Sequence, residues 1–467
     1  MIENLPEEWV ETTLGEIADW SSGGTPDTKK KEYYDGNIPW VVTGDLTDGL
    51  VNASQKKITQ AGLENSSAKW VQPGSVMIAM YGASIGRLGI ADFECTTNQA
   101  IAYTKRLYGG ISNRFLFYYL QKSKADFVNL GAGGAQPNIS QTVLKEFPIP
   151  LPPLAEQARI VAALDGLLGR VRAAQEALGA VPKLLKCFRQ AVLSAAVSGK
   201  LTEEWRDTND NKEIWVDLTA AEACDAVASG STPKGKPFFE NEEIPYLKVY
   251  NIVNQKINFQ YKPQYIKREI HEKELKRCKV YPNDVIINIV GPPLGKVAII
   301  PNDYEEWNIN QAIVLFRTKR EIISSEFLYL VFCEGTHFRE IETETRGTVG
   351  QVNISLSQCR AFILRIPPLA EQQEIVRRVG ELLALADGVE ARYRAAQRQL
   401  DALPQACLAK AFAGHLTERH PDDEPTALLL ERLRAGRAAP AAPPPKPKRG
   451  RKAGKQFTLF TPEEPHF

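Results

Sequence analysis

Gly291–Val297, GPPLGKV, has the lysine-after-glycine order of a phosphate-binding loop. Such a loop cradles phosphates with backbone N–H groups and one lysine, and holds magnesium with a Ser or Thr placed after the lysine. Here the run is one residue short and Val297 follows Lys296, so nucleotide chemistry is rejected at this position. Gly131–Asn138, GAGGAQPN, is also glycine-rich, but it follows a helix-like stretch where a dinucleotide site needs a strand. It reads as a turn-rich loop. Cys333 and His337 have the spacing of a metal-ligand pair, yet no second pair accompanies them, and zinc needs three or four ligands. They are expected to be two half-buried helical residues. The seven cysteines contain no C-x-x-C pair, which fits a reduced cytoplasm and argues against a zinc module. No Ser/His/Asp arrangement demands a nucleophile.

What the chain offers instead is binding chemistry. Lys and Arg neutralise phosphates, and side chains in a groove read bases. Lys29, Lys30 and Lys31 follow a GGTP turn, with Tyr33 and Tyr34 beside them. Arg87 follows the glycine turn of YGASIGR. Further along, Lys234 and Lys236 follow a GSTP turn, Lys248 and Tyr250 follow an IPY strand, and Lys296 follows GPPLG. A second basic stretch, KREIHEKELKRCK, holds Lys267, Arg268, Lys276, Arg277 and Lys279. A positive residue follows both equivalent turns in both halves, and that recurrence raises these residues above ordinary surface lysines. Net charge is only +1, from 57 basic and 56 acidic residues, so any basic surface is local.

The elements that must position these residues come in duplicate. PPLAEQ occurs at Pro152–Gln157 and at Pro367–Gln372, and SGKLTE at Ser198 is matched by AGHLTE at Ala413. Both pairs lie 215 residues apart, as a duplicated segment without net insertion requires. GGTP and GSTP, IPW and IPY, YGASIGR and VGPPLGK, two copies of NQAI, and QPNIS and QVNIS form a fainter series whose offsets drift between 207 and 215. Loops have changed length on a constant scaffold. Runs such as SVMIAM and DVIINIV read as strands, and NRFLFYYLQKS and SEFLYLVFCEG as short helices. Two mixed domains are predicted, at 1–148 and 206–364.

Each PPLAEQ opens a heptad seam. In the first copy it runs through Ile160, Leu164, Leu167, Val171, Ala174, Leu178, Val181, Leu185, Phe188 and Val192. In the second it runs through Ile375, Val379, Leu382, Ala386, Val389, Tyr393, Ala396, Leu400, Leu403 and Cys407. Steps of four and three keep one stripe facing a partner helix. Prolines suit the start of each helix, and Gly199 and Gly414 suit the ends. Helical regions are predicted at 149–205 and 365–420, with a kink or short break at Pro182 and at Pro404. The economical layout returns the second helix antiparallel along the first, giving a pseudo-twofold repeat with a globular domain at each end. The fold class is therefore α+β: two mixed α/β domains joined by two long antiparallel coiled-coil helices. Residues 421–467 are proline-rich, then basic, and are expected to be a mobile tail, either a plain solubilising segment or one adding weak, salt-sensitive attraction to nucleic acid. The opening MIENLPEEWV has no apolar core, so no signal peptide is expected. No apolar run approaches the roughly 20 residues that span a bilayer. The expected location is cytoplasmic, with no membrane partner.

The order of parts, the doubled PPLAEQ and RQAVLSAAVSGKLTEEWR resemble the specificity subunit of Type I restriction–modification systems. The resemblance covers nearly the whole chain. It implies two target recognition domains, each reading one half of a bipartite sequence in double-stranded DNA. It implies helices that set the spacer and dock two modification methyltransferase subunits, with restriction/translocase subunits joining that core. It implies no active site in this chain, with S-adenosylmethionine, ATP and magnesium on the partner subunits. The residues agree: the N/D-P-P-Y/F tetrapeptide of adenine methyltransferases is absent. The alternative is a structural adaptor without a DNA role, presenting two protein-binding domains on a coiled-coil rod. The duplicated basic turns disfavour it.

Overall fold

A computed structural model describes residues 5–131, 137–208, 214–235, 238–240, 243–291, 293–344 and 353–438. The chain forms two units, Met1–Ala174 with Leu400–Phe467, and Gln175–Gln399. The architecture is α+β, and the duplication seen in the motifs is carried through the sheets.

In the first unit one sheet orders its strands Ala18–Ser22, Ile101–Leu107, Val76–Ala79, Leu88–Ala91 and Gly49–Val51. A second sheet orders Lys56–Ile58, Tyr34–Val41, Cys95–Thr97 and Trp70–Val71. The second unit repeats the second order and the first four strands of the first. Its first sheet is Cys224–Ser229, Ile313–Thr318, Val285–Asn288 and Val297–Ile299. Its other sheet is Tyr265–Ile266, Ile244–Leu247, Trp307–Ile309 and Lys279–Val280. The one parallel pairing inside each second sheet recurs, as Tyr34–Val41 with Cys95–Thr97 and as Ile244–Leu247 with Trp307–Ile309. A two-stranded ribbon closes each domain: Val10–Thr13 on Pro148–Leu151, and Val216–Thr219 on Ile363–Ile366.

Each repeated motif has a packing reason. Gly23 and Gly230 lie so close to backbone that an added Cβ would stand 2.0 Å from the Thr97 carbonyl or 2.2 Å from that of Asn310, far inside contact distance. The aromatic ending IPW or IPY holds that turn from the neighbouring sheet. Trp40 Nε1 donates to Gly24 O at 3.1 Å, and the Tyr246 hydroxyl donates to Ser231 O at 2.8 Å. Gly86 and Gly295 adopt φ of +77° and +80°, a region costly for other residues. In QPNIS and QVNIS the isoleucine is buried. Ser140 and Ser355 are N-caps, accepting from the N–H of Val143 and of Gln358.

PPLAEQ is a clasp between helix and domain. Gln157 Nε2 donates to Pro152 O at 2.9 Å, and Gln372 Nε2 donates to Pro367 O at 2.8 Å, so each glutamine ties down its own helix start. Each glutamate is buried and receives an indole N–H from the domain. Trp9 donates to Glu156 Oε2 and Trp215 to Glu371 Oε2, both at 3.0 Å. The copies differ at the other oxygen. Glu371 Oε1 accepts from Thr202 Oγ1 at 2.7 Å and from the Arg206 guanidinium. Glu156 Oε1 is buried with no hydrogen-bond partner among the described residues, and so is the hydroxyl of Thr417, the counterpart of Thr202. Burial pushes the Glu156 carboxyl above its ordinary pKa.

The arms are helices Leu154–Gly179, Val181–Val197 and Leu369–Phe412. The break at Ala180 puts Pro182 in the first turn of the next helix, where a missing N–H costs nothing. At Pro404 there is no break: the chain stays helical through it, and the following Leu408, Ala411 and Phe412 pack into the first core and hold the last turns. In the second unit the arms run antiparallel. Arg189 bridges Asp387 and Glu390 at 2.6 and 2.8 Å, Arg378 Nη1 donates to Leu201 O, and Arg206 pairs with Glu371, so partner numbers fall as chain numbers rise. Ile160, Leu164, Val171, Ile375 and Val379 are buried. Leu167, Leu178, Val181, Leu382, Tyr393 and Leu400 are half-buried. Phe188, Val389 and Leu403, placed on the seam by periodicity, are exposed. Arg189 and its carboxylates take over the cross-arm contact near Phe188 and Val389, so the apolar stripe there is narrower than the heptads imply.

The expected mobile tail needs correcting at its start. Thr426–Ala438 is a helix of the first unit, with Leu429 and Leu433 buried in its core. Thr426 Oγ1 donates to Glu8 O at 2.7 Å, and Arg159 meets Asp423 at 2.5 Å. Two leucines four apart give this segment an apolar stripe that its proline-rich surroundings conceal. The basic run Lys446–Lys455 lies outside the described residues.

Candidate nucleic-acid interface

In the first domain Lys29, Lys30 and Lys31 are exposed on the loop after Pro26. The two tyrosines beside them belong to the scaffold. Tyr33 is buried, and its hydroxyl lies 3.1 Å from Lys30 Nζ, a contact that raises the lysine pKa. The Tyr34 hydroxyl donates to Pro26 O at 2.6 Å. Tyr33 and Tyr34 thus both contact the lysine loop, Tyr33 from a buried position and Tyr34 from a half-buried one. Arg87 is exposed at the end of the glycine turn, with no ion pair among the described residues. Asp48 steadies that turn. It sits at φ +60° and its carboxylate accepts from Leu88 N at 2.9 Å and from Lys124 Nζ at 2.6 Å.

The second domain gathers several candidates into one assembly. Lys296 Nζ donates to Val249 O at 3.2 Å, which joins the glycine turn to the segment carrying Lys248 and Tyr250. Lys248 Nζ lies 4.2 Å from the Phe238 ring centroid. The Tyr250 hydroxyl donates to Lys262 O at 3.2 Å, and its ring meets Tyr261 edge-on. Buried Asn251 donates to Asn258 O and Tyr261 O. Gln255, at φ +59°, occupies the place of Asp48: its Oε1 accepts from Val297 N at 2.6 Å and its Nε2 donates to Gly295 O at 2.9 Å. Lys234 is exposed, its backbone N–H bonded to Glu274; Lys236 lies outside the described residues.

The basic stretch after Tyr265 divides. Lys267 is exposed, with Nζ 5.3 Å from the Phe239 ring centroid. Arg268 is held by carboxylates, 3.3 Å from Glu243 and 3.5 Å from Glu306. Lys279 is largely buried, 2.6 Å from Glu272 and 3.3 Å from Glu306, so its charge is met inside the protein. His271, Glu272 and Glu306 lie close enough to hold a cation, and the Lys279 ammonium already serves as that cation. Burial lowers the His271 pKa, and its ring bonds Asn308 and Glu306. Cys333 and His337 fall on separate helices divided by Gly335; His337 Nε2 bonds Ile363 O at 2.9 Å. Of GAGGAQPN, residues 132–136 lie outside the described residues.

Sequence reasoning passed over Asp48, Gln255 and Asn251. They carry no net motif, and their role depends on backbone geometry. The one legible signal was NQ between two β-branched runs, a two-residue turn pattern.

Two copies of one mixed domain, each clasped to a long helix and each presenting lysines beside a glycine turn, define a paired-domain binding protein. The family model described as Type I restriction modification DNA specificity domain matches residues 6–176 and again 212–391, and the chain belongs to that family. It is a specificity subunit, the non-catalytic component of a restriction–modification complex. The chain is 28% identical over 456 residues to the Type I restriction enzyme EcoKI specificity subunit of Escherichia coli K12, covering 93% of this chain and 97% of that one. It is 26% identical to the EcoBI specificity subunit of Escherichia coli, over 93% and 94% of the two chains. The fold matches the crystal structure of the HsdS subunit from Thermoanaerobacter tengcongensis with a TM-score of 0.58 at 19% identity, over 88% and 98% of the two chains. A chain from a structure of complex assembly and conformational transition in the type I R-M system matches at 0.67, also at 19% identity, over 88% and 99%.

Proposed function

We propose that each mixed domain reads one half of a bipartite DNA target, and that the helical arms fix the spacer and dock two methyltransferase subunits. The observation that carries this is the clasped duplication: the same sheets, the same turns and the same glutamate–tryptophan bond occur twice in one chain. Two similar readers on one chain call for two sites on one duplex. Lys29, Lys30, Lys31 and Arg87 supply phosphate contacts in the first domain, and Lys234, Lys248, Lys267 and Lys296 in the second. Arg268 is withdrawn from that role by its carboxylate partners.

The docking surface is read from the arms. Leu184 is 64% exposed and Leu385 is 61% exposed, joined by Phe188 and Val389 in the same unit. Exposed leucines on a helix suit packing by further helices. DNA and the partner subunits hold the chemistry; S-adenosylmethionine, ATP and magnesium belong to those partners. The purified chain alone will neither methylate nor cleave DNA, and either activity in a preparation free of partners would refute this.

The spacer claim has its own test. Four residues, about one helical turn, are inserted after Leu178 and after Tyr393. Each arm lengthens by roughly 6 Å. Duplex DNA advances about 3.4 Å per base pair. Mapping methylated adenines should show the spacer longer by one or two base pairs with both half-sites unchanged. An active complex that keeps its original spacer would remove the arms as the ruler.

A further inference from the structure

The two domains part company at one place in otherwise matching sheets. In the first, Gly49–Val51 joins the large sheet as a parallel strand beside Leu88–Ala91. In the second, the corresponding chain folds on itself: Ile252–Val253 pairs antiparallel with Lys256–Ile257 as a tight hairpin. Its two turn residues, Asn254 and Gln255, have φ of +51° and +59°, the geometry of a type I′ turn. Gln255 is fixed from below by Gly295 and Val297, and its carbonyl also accepts from the Tyr329 hydroxyl at 3.1 Å. Asn254 has an exposed side chain with no hydrogen-bond partner among the described residues. Val253 and Lys256 are exposed beside it. Three further lysines lie nearby: Lys296 follows the turn that Gln255 grips, and Lys248 and Lys262 are bonded through their backbone to Asn251 and Tyr250 in the segment leading into the hairpin.

We propose that this hairpin is the part of the second domain that enters the DNA groove, with Asn254 as a base-reading residue, Lys256 on a phosphate, and Gln255 as the positioning residue. The assignment rests on the reading of this domain as a half-site reader. A two-stranded ribbon fits the major groove. An asparagine amide offers the donor and acceptor that match the N7 and N6 edge of adenine, and Val253 suits a thymine methyl group. Gln255 cannot read a base, because both ends of its amide are engaged by the glycine turn. The first domain lacks this hairpin, so the two half-sites should differ in what is read here.

The test uses the chain assembled with its modification subunits, and a duplex carrying the target found by mapping methylated adenines. Asn254→Gly keeps the left-handed turn while deleting the amide. It should lower discrimination at one position of the second half-site by roughly 5- to 150-fold, the range for one bidentate contact, and leave the first half-site unchanged. Lys256→Ala should weaken binding evenly across sequences and lower the salt slope by about 1. Unaltered discrimination by Asn254→Gly, or equal loss at both half-sites, would overturn the assignment while the wild-type complex still reads two halves. A wild-type complex that reads no bipartite target would overturn the parent reading and this assignment with it.

Discussion

At the residue scale the two clasp glutamates make a controlled comparison. Glu371 faces Thr202, Arg206 and Trp215, whereas Glu156 holds Trp9 and leaves one oxygen in a buried site without a partner among the described residues. Replacing a charged acceptor that meets a guanidinium costs about 1–3 kcal/mol. Glu371→Gln should therefore lower the melting temperature by several degrees, at roughly 2–4 °C per kcal/mol for a unit of this size. Glu156→Gln should be neutral or stabilising at neutral pH, since it removes a buried charge that lacks a full set of donors. The pH dependence has a fixed sign. Burial raises the Glu156 pKa in the folded protein, so its penalty exists above that pKa and is relieved as pH falls through it. The advantage of Glu156→Gln over wild type should shrink from neutral to mildly acid pH. Differential scanning calorimetry of both variants checks this, and equal losses in the two would refute the asymmetry. The glutamates were legible as a repeated hexamer. Their difference was not, because Thr202 and Arg206 lie in a segment where the second copy has Thr417 but Pro421 in place of the arginine.

Among the elements, strands, short helices and both arms were legible because apolar period decides them and the burial pattern follows it. Three features escaped. Pro404 read as a kink or short break because an interior proline forfeits a hydrogen bond, but the helix is unbroken there, with Leu408, Ala411 and Phe412 beyond it packed into the first core. Phe188 and Val389 fit the heptad yet lie in the open, since a period does not show that Arg189, Asp387 and Glu390 make the cross-arm contact beside them. Thr426–Ala438 was hidden by its proline-rich neighbourhood. Its docking can be measured. Leu433→Ala should cost about 2–5 kcal/mol, as for other buried leucines. Leu428→Ala, on the exposed face of the same helix, should stay within about 0.5 kcal/mol. Equal effects in thermal melting would mean that the helix does not pack as described. The arms carry a second expectation at this scale. Leu184→Glu and Leu385→Glu should leave folding intact, because both side chains already face solvent, and should weaken capture of the modification subunit in a sedimentation assay. Retained assembly at full affinity would move the docking surface elsewhere.

For the whole molecule, the duplicated fold was visible in the repeat, whereas the internal contacts of the candidate residues were not. Basic turns recur in both domains, but Tyr33, Tyr34, Arg268 and Lys279 are held by internal partners that no one-dimensional pattern discloses. The central claim is that each domain reads its own half of the target. The ribbons Val10–Thr13 with Pro148–Leu151 and Val216–Thr219 with Ile363–Ile366 close each domain at its junction with an arm, which gives natural boundaries for an exchange. The most direct measurement replaces Val216–Ile366 with the matching domain of a relative of different specificity. The chimaera is expressed with its modification subunits, and methylated adenines are mapped across a genome. The result expected is one altered half-site, one unaltered half-site and an unchanged spacer. A chimaera that assembles and methylates, yet changes both half-sites or neither, would contradict independent reading by the two domains.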